Sequence, residues 1–324
     1  MRTIRWGMIG AGDVTEVKSG PGFQKAEHSA LVAVMRRNGE LARDYAERHH
    51  VPKWYDDADA LINDPEVDAV YIATPPYAHK AYTLRCAEAG KPVYVEKPMA
   101  LNFAECQAMV EACHAANVPL FVAYYRRMLP RFLKIRELID SEAIGAVLTV
   151  NVRLYRPAEP FVDGNLPWRV IPEQSGGGIF VDMGSHMLDF LDYVLGPYRT
   201  VSGIAANRGG SYPAEDSVSA CFEFESGYQG VGQWCFTSFQ DFDLTEIVGT
   251  HGKLAFSTFD AAPFTLTTAQ GVQQFDIPNP PHVQQPLIQS IVDQLNGQGG
   301  CPSTGDSAAR TASVTDQILA AYYK

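Results

Sequence analysis

The chain has 324 residues, 46% of them hydrophobic and 19% charged, with a formal net charge of −11. That length exceeds one small core and points to two domains. The acidic balance argues against a nucleic-acid partner, which needs clustered Lys and Arg, and no apolar run approaches the roughly 20 residues of a membrane span.

The opening MRTIRWGMIGAG runs directly into a first strand, which leaves no room for a signal peptide. Cys86, Cys106, Cys113, Cys221, Cys235 and Cys301 form no C-x-x-C pair, so zinc spacing is absent, no metal site is expected and a cytoplasmic location follows. Cys106 and Cys113 fall in a predicted helix as small buried thiols. His49 and His50 sit at a helix end and read as a solvated terminus.

Ile4, Trp6, Met8 and Ile9 form the apolar run of a buried strand. Gly10-Ala11-Gly12-Asp13-Val14-Thr15 follows, and a helix-like stretch comes next, the context a dinucleotide-binding turn requires. The glycines allow a tight turn and close approach of a pyrophosphate, and the N–H groups of Asp13 and Val14 open the helix toward the phosphates. Thr15 stands where the third glycine of the pattern belongs, which predicts a wider fit of helix on strand.

Apolar runs at 30–35, 69–73, 92–95 and 119–123 alternate with helical patterns near 39–49, 78–90 and 102–116, the last with Asn102 as N-cap. This alternation predicts an α/β fold, a doubly wound parallel sheet over residues 1–123 with ligands at the carboxyl ends of its strands. The second strand ends at Arg36 and Arg37, where an acidic residue would hold the adenosine ribose of NAD. Guanidinium groups bind a 2′-phosphate instead, so NADP(H) is preferred and NAD(H) is the second candidate. The fourth strand ends in Thr74-Pro75-Pro76-Tyr77-Ala78-His79, a stiff strip suited to lining a cofactor channel. Two roles are open to His79: cofactor contact, or simply opening the next helix. The fifth strand ends in Val95-Glu96-Lys97-Pro98, a charged pair at the ligand edge.

Past residue 145 the texture changes. Segments 146–156, 200–207, 217–225, 228–237, 244–249 and 253–258 read as a meander of antiparallel strands in a second, α+β domain, 124–324, with the changeover between 124 and 145. Helices are predicted near 177–195, 284–297 and 306–323, and the final helix is free to pack back on the first domain. The first of these helices opens at Gly176-Gly177-Gly178, which permits unusual backbone. At 100° per residue, Asp182, His186 and Asp189 fall within an arc of about 60°. An imidazole flanked by carboxylates can move a proton; the same face can equally be a solvated one.

The fingerprint turn, TPP-x-x-H, the EKP tripeptide and the strand-rich second half together resemble the glucose–fructose oxidoreductase/inositol dehydrogenase (Gfo/Idh/MocA) family, in order over nearly the whole chain. The resemblance implies a Rossmann domain followed by a domain with a large, mostly antiparallel open sheet. It implies that Glu96 bonds the nicotinamide ribose, that Lys97 stands beside the reacting carbon, and that the bond before Pro98 is cis. The pattern G-G-G-x-x-x-D-x-x-x-H gives His186 the role of general acid/base and Asp182 a substrate-binding, His-orienting role, while Asp189 either supports the histidine or is exposed. Trp168-Arg169 resembles a W-R pair of sugar-acting members; Trp168 is assigned to substrate and Arg169 to cofactor phosphate, substrate or a surface salt bridge. Tyr124, Tyr125 and Arg126 end the first domain at the same edge, and Tyr155, Arg156 and Asn165 are candidates for polar substrate contacts, with core packing as the other role for the tyrosines. The implied activity is hydride transfer between nicotinamide and a secondary alcohol or ketone of a sugar, polyol or related cyclic compound. A glycoside hydrolase working by transient oxidation on NAD, and a non-catalytic nucleotide sensor, are the other two functions weighed. An open sheet needs cover on its second face, which predicts a homodimer or homotetramer.

Overall fold

The structure, a computed structural model, describes residues 1–158 and 166–323. The chain divides into two compact units, Met1–Leu129 with Pro280–Ala309, and Pro130–Asn279 with Arg310–Lys324. The first unit therefore takes in a segment, 280–309, that a division at residue 123 leaves with the second.

The first unit runs β1 (Ile4–Ile9), α1 (Asp13–Val17), α2 (Gly20–Lys25), β2 (Ser29–Met35), α3 (Gly39–Arg48), β3 (Lys53–Tyr55), α4 (Ala58–Ile62), β4 (Ala69–Ile72), α5 (His79–Glu88), β5 (Val93–Val95), α6 (Phe103–Ala115) and β6 (Leu120–Val122). The six strands are parallel in the order β3-β2-β1-β4-β5-β6. That is the doubly wound order, whose ligand crevice opens where the winding reverses, between β1 and β4. Ala69–Ile72 and Val93–Val95 are buried at every position, as strands covered on both faces must be. Asn38 and Asn102 accept from the amides of Leu41 and Glu105 and so start α3 and α6. The helix expected after the glycine turn comes in two pieces, because Pro21 in the first turn of α2 has no N–H with which to continue α1.

The second unit contains α7 (Pro130–Asp140), β7 (Val147–Tyr155), α8 (Pro172–Ser175), α9 (Ser185–Leu195), β8 (Tyr198–Ala206), β9 (Ser217–Phe224), β10 (Gln229–Cys235), β11 (Phe242–Gly249), β12 (Gly252–Phe256), β13 (Phe264–Thr268) and β14 (Gly271–Phe275). Its eight-stranded sheet has the order β14-β13-β12-β11-β7-β10-β9-β8, antiparallel except for the β7–β10 pair. The last hairpin, β13–β14, is an element the sequence reading did not contain. One face packs on α9: Trp234 is fully buried, its ring 4.9 Å from that of Phe180 and its Nε1 donating to Met187 Sδ at 3.4 Å. The other face carries Ile204 and Val231, 76% and 51% exposed.

Two helices close the chain, α10 (Gln285–Leu295) and α11 (Gly305–Leu319). Leu287, Ile288, Ile291 and Val292 of α10 are fully buried in the first unit's core with Trp6, Phe23, Tyr45, Tyr71 and Tyr94. Burying each such aliphatic side chain is worth roughly 1.5–3 kcal/mol. Ser303 adds Oγ–H to Val122 O at 2.7 Å, beside β6. Among the described residues no helix is long and apolar enough to cross a membrane.

Candidate active site

In the first unit the crevice between β1 and β4 is shaped by Gly10 and Thr74. Gly10 has φ +91°, and a Cβ there would lie 2.9 Å from Ala73 C, Thr74 N and Thr74 Cγ2, so both conformation and space demand glycine. A Cβ on Gly12 would meet only Gly10 O, at 3.7 Å, which leaves an open cradle. Thr15 is fully buried, and its Oγ1 donates to Gly12 O at 2.7 Å and accepts from Gly12 N at 3.0 Å. Instead of widening the fit, the substitution clips the turn and uses the Gly12 amide. The N–H groups of the first helical turn, Asp13 and Val14, have no carbonyl within the helix to bond and remain to meet a phosphate. This cradle fits a dinucleotide pyrophosphate.

Arg36, half-buried, and Arg37, exposed, directly follow β2, and Arg36 N bonds Tyr55 O at 3.2 Å. Thr74 and Pro75, half-buried, lead into a short 3-10 turn, Pro76–Ala78. His79 is a correction. It is fully buried, with Nε2 2.6 Å from Thr74 O and Nδ1 3.0 and 3.2 Å from the carbonyls of Pro98 and Met99. A ring closed on every side by its own chain clamps the TPP and EKP loops together and offers no cofactor contact. Burial holds its pKa below the ordinary histidine value, against the opposing pull of the Thr74 carbonyl and Glu96.

The Lys97–Pro98 bond is cis. Glu96 is buried, and its Oε1 accepts from Tyr71 Oη–H at 2.5 Å and from Gln284 Nε2 at 2.6 Å, while Oε2 accepts from Lys97 N at 3.3 Å. Tyr94 in turn donates to Gln284 Oε1 at 2.7 Å. Burial first and the Glu96 charge second push the Tyr71 phenol well above its usual pKa, so it stays a donor. Gln284 escaped the sequence reading because a Gln-Gln pair at a helix start looks solvated, yet Gln284 is 1% exposed. Lys97 is half-buried. In this first unit Tyr124 is buried, and Arg126 lies over the Tyr125 ring at 5.1 Å.

In the second unit the glycine run ends α8 at Gly176, φ +82°, and leads into a π-helical turn, Phe180–Gly184, before α9. The expected single helix with 100° steps is therefore wound wider at Asp182. Gly178 N donates to both oxygens of Glu215, at 2.8 and 2.9 Å, and Tyr323 Oη–H donates to Oε2 at 2.5 Å. Burial raises the pKa of Glu215, with the Tyr323 and Gly178 bonds opposing. Glu215 was missed because an acid pair, Glu215-Asp216, ahead of a strand reads as a solvated turn and carries no periodic signal.

Asp182 Oδ2 is 3.4 Å from Arg169 Nε, and the Arg169 guanidinium lies 4.5 Å over the Trp168 ring. Of the roles open to Arg169, the structure shows an ion pair with Asp182 of the same unit. His186 is 4% exposed, and its ring centre stands 6.1 Å from that of Phe259. Asp189 is 1% exposed and accepts from Thr311 Oγ1 at 3.4 Å, and Asp192 accepts from Arg310 Nε and Nη2 at 2.9 and 2.7 Å. The polar side of α9 is thus covered by α11 and is not a solvated face.

Tyr155 is a further correction. Strand alternation puts it with Arg153 and Gln233 on the face turned away from α9, where its Oη–H donates to Gln233 Oε1 at 2.5 Å. Arg156 is ion-paired with Asp241, Asp243 and Asp260. Asn165 lies outside the described residues. Among the described residues no group of His, Cys, Asp and Glu could hold a metal ion, and none of the six cysteines is in a disulfide.

Comparison with known proteins gives consistent matches. Residues 4–124 fit the family model for an oxidoreductase family with an NAD-binding Rossmann fold, and residues 132–255 fit the GFO/IDH/MocA C-terminal domain. Oxidoreductase P35 of Formosa agariphila is 40% identical over 315 residues, 97% of each chain. The trans-1,2-dihydrobenzene-1,2-diol dehydrogenase of Sus scrofa is 29% identical over 302 residues, 92% of this chain and 85% of that one. The fold superposes on a levoglucosan dehydrogenase in complex with NADH and levoglucosan with a TM-score of 0.87, at 21% identity over 99% of this chain and 97% of that one.

Proposed function

The chain belongs to the Gfo/Idh/MocA family of NAD(P)-dependent oxidoreductases, and on that footing we propose that it transfers a hydride between NADP(H) and a secondary alcohol or ketone of a sugar, polyol or related cyclic compound. The observation that carries this reading is the buried His186 on a helix whose preceding π-turn bears Asp182, tied to Arg169. A diol dehydrogenase among the relatives supports the substrate class.

A bound nicotinamide supplies hydride transfer. The chain supplies the rest. His186 takes the hydroxyl proton at a ring nitrogen when an alcohol is oxidised and returns it when a ketone is reduced. The Lys97 ammonium stabilises the developing alkoxide charge. Asp182, held by Arg169, binds a substrate hydroxyl and orients the imidazole. Glu96, its Oε1 engaged by Tyr71 and Gln284, presents its carboxylate to the ribose. Arg36 and Arg37 favour a 2′-phosphate, with NAD(H) the second cofactor.

The open face of the eight-stranded sheet, with Ile204, Val231 and a depression of about 690 Å³, supports assembly as a homodimer or homotetramer. Six cysteines outside any disulfide suit the cytoplasm.

The test is turnover of NADP⁺ and NAD⁺, followed by nicotinamide fluorescence, across myo-inositol, levoglucosan and trans-1,2-cyclohexanediol. Reduction of NADP⁺ with at least one of them is expected, and His186→Ala or Lys97→Ala should cut kcat about 10²-fold or more while sparing cofactor affinity. Tight NADPH binding without turnover of any member would defeat the proposal.

A further inference from the structure

We propose that Phe259 is a positioning residue for His186, and that the loop 257–262 is built to hold it against the imidazole. The inference rests on the reading of His186 as the acid/base.

The two rings meet edge to face, centres 6.1 Å apart and planes at 75°, with His186 buried and Phe259 half-buried. The loop behind Phe259 follows β12 and has no regular structure of its own, so nothing repetitive fixes it. Polar groups that seldom go inside do so here. Asp243 of β11, its side chain 0% exposed, accepts at Oδ2 from Ser257 Oγ at 2.6 Å and from the Phe259 amide at 2.7 Å. Ser257 Oγ also accepts from Asp260 N at 2.8 Å. Arg131 of α7, 3% exposed, donates to the carbonyls of Asp260 at 2.6 Å and Ala262 at 3.0 Å. Arg156 adds a contact to Asp260 at 3.5 Å.

Burying a carboxylate and a guanidinium is costly, and Asp243 Oδ1 is buried without a hydrogen-bond partner. Here both are spent on fixing the backbone on either side of one aromatic residue. A phenyl ring neither takes nor gives a proton. What it contributes is a wall that restricts the imidazole to one orientation and keeps water off it, and orientation errors of an ångström are expensive in turnover. Phe259 therefore acts through His186.

The experiment is a double-mutant cycle on the full chain with NADP⁺ and trans-1,2-cyclohexanediol, combined with NMR of the His186 ring. Phe259→Ala should lower kcat about tenfold or more in the wild-type background, by the cost of a misplaced catalytic group, with cofactor affinity unchanged. In the His186→Ala background it should cost under about twofold, since the group it positions is gone. Phe259→Tyr, which keeps the ring, should restore the wild-type kcat. Equal losses in both backgrounds, or a change confined to KM, would overturn the inference and make Phe259 an independent substrate contact. Retained turnover in His186→Ala defeats the acid/base reading itself; loss there with no loss in Phe259→Ala defeats only the positioning role. Independently of turnover, the Cε1–H resonance of His186, assigned by its disappearance in His186→Ala, should shift in Phe259→Leu as the ring current is removed. An unmoved resonance would show that the two rings are not in contact and would overturn the proposal.

Discussion

Replacing Gly178 by alanine probes the turn that carries Asp182 and leads into the helix of His186. The added Cβ would stand well inside van der Waals contact of the Glu215 main-chain oxygen and 3.1 Å from Ala214 Cβ and Glu215 Cδ. Carbon contacts relax at about 3.5–4.0 Å, so the glycine run must retreat by something on the order of 1 Å. Retreat stretches the two bonds from Gly178 N to Glu215, now 2.8 and 2.9 Å, and displaces the first residue of a turn whose next amides, Val181 and Asp182, bond back to Gly178 O. Overpacking of this kind costs about 1–3 kcal/mol, which for a unit of this size lowers Tm by roughly 2–12 °C. Moving the acid/base by an ångström costs kcat about 10²-fold. Steady-state kinetics with a calorimetric scan should show both effects, with cofactor affinity intact. A Gly178→Ala enzyme within threefold of wild-type kcat would refute the reasoning, because the turn would then tolerate the shift.

Three further outcomes are expected. His79 has a folded pKa below its unfolded value of 6.5, so between those two values the unfolded chain binds a proton that the native one does not. Its contribution to stability is full above pH 6.5 and is lost as pH falls through that window, and His79→Gln should flatten Tm against pH on the acid side; an unchanged slope would contradict it. Gln284→Ala leaves the Tyr94 hydroxyl and one Glu96 oxygen short of a partner, at about 1–3 kcal/mol, and should weaken cofactor binding in equilibrium titration; wild-type affinity would detach Gln284 from the ribose site. Arg36→Asp should swing the NADP/NAD ratio of kcat/KM toward NAD, and an unmoved ratio would reject the guanidinium argument for the 2′-phosphate.

The first unit was legible because its signals are local. Apolar runs such as Ala69–Ile72 bury every side chain, Asn38 and Asn102 mark helix starts, and the strand order follows from alternation with helices. The second unit was legible as strands but less so in which face a side chain takes. Tyr155 was a candidate for substrate contact or core packing until the β7–β10 register put it on the face turned away from α9. Asp182 and His186 stood out as a pattern, whereas the π-turn that bears Asp182 did not, because periodicity assumes one pitch. Residues that act across long separations gave no signal at all. Glu215 reaches Gly178, Gln284 reaches Glu96, and Asp243 reaches Phe259, each through a hydrogen bond that spacing cannot foretell.

The last helix but one has a consequence for how the protein is made. Leu287, Ile288, Ile291 and Val292 belong to the nucleus around Trp6 and Tyr71, although nearly 300 positions separate the ends of that cluster in the chain. During synthesis the nucleotide half leaves the ribosome with its hydrophobic seam unsealed, and stays so until the whole sheet-rich half has emerged. A fragment cut after Leu129 would expose that seam permanently and should precipitate or bind chaperones, whereas rejoining it to residues 280–309 through a short linker should yield a monomer that stays in solution.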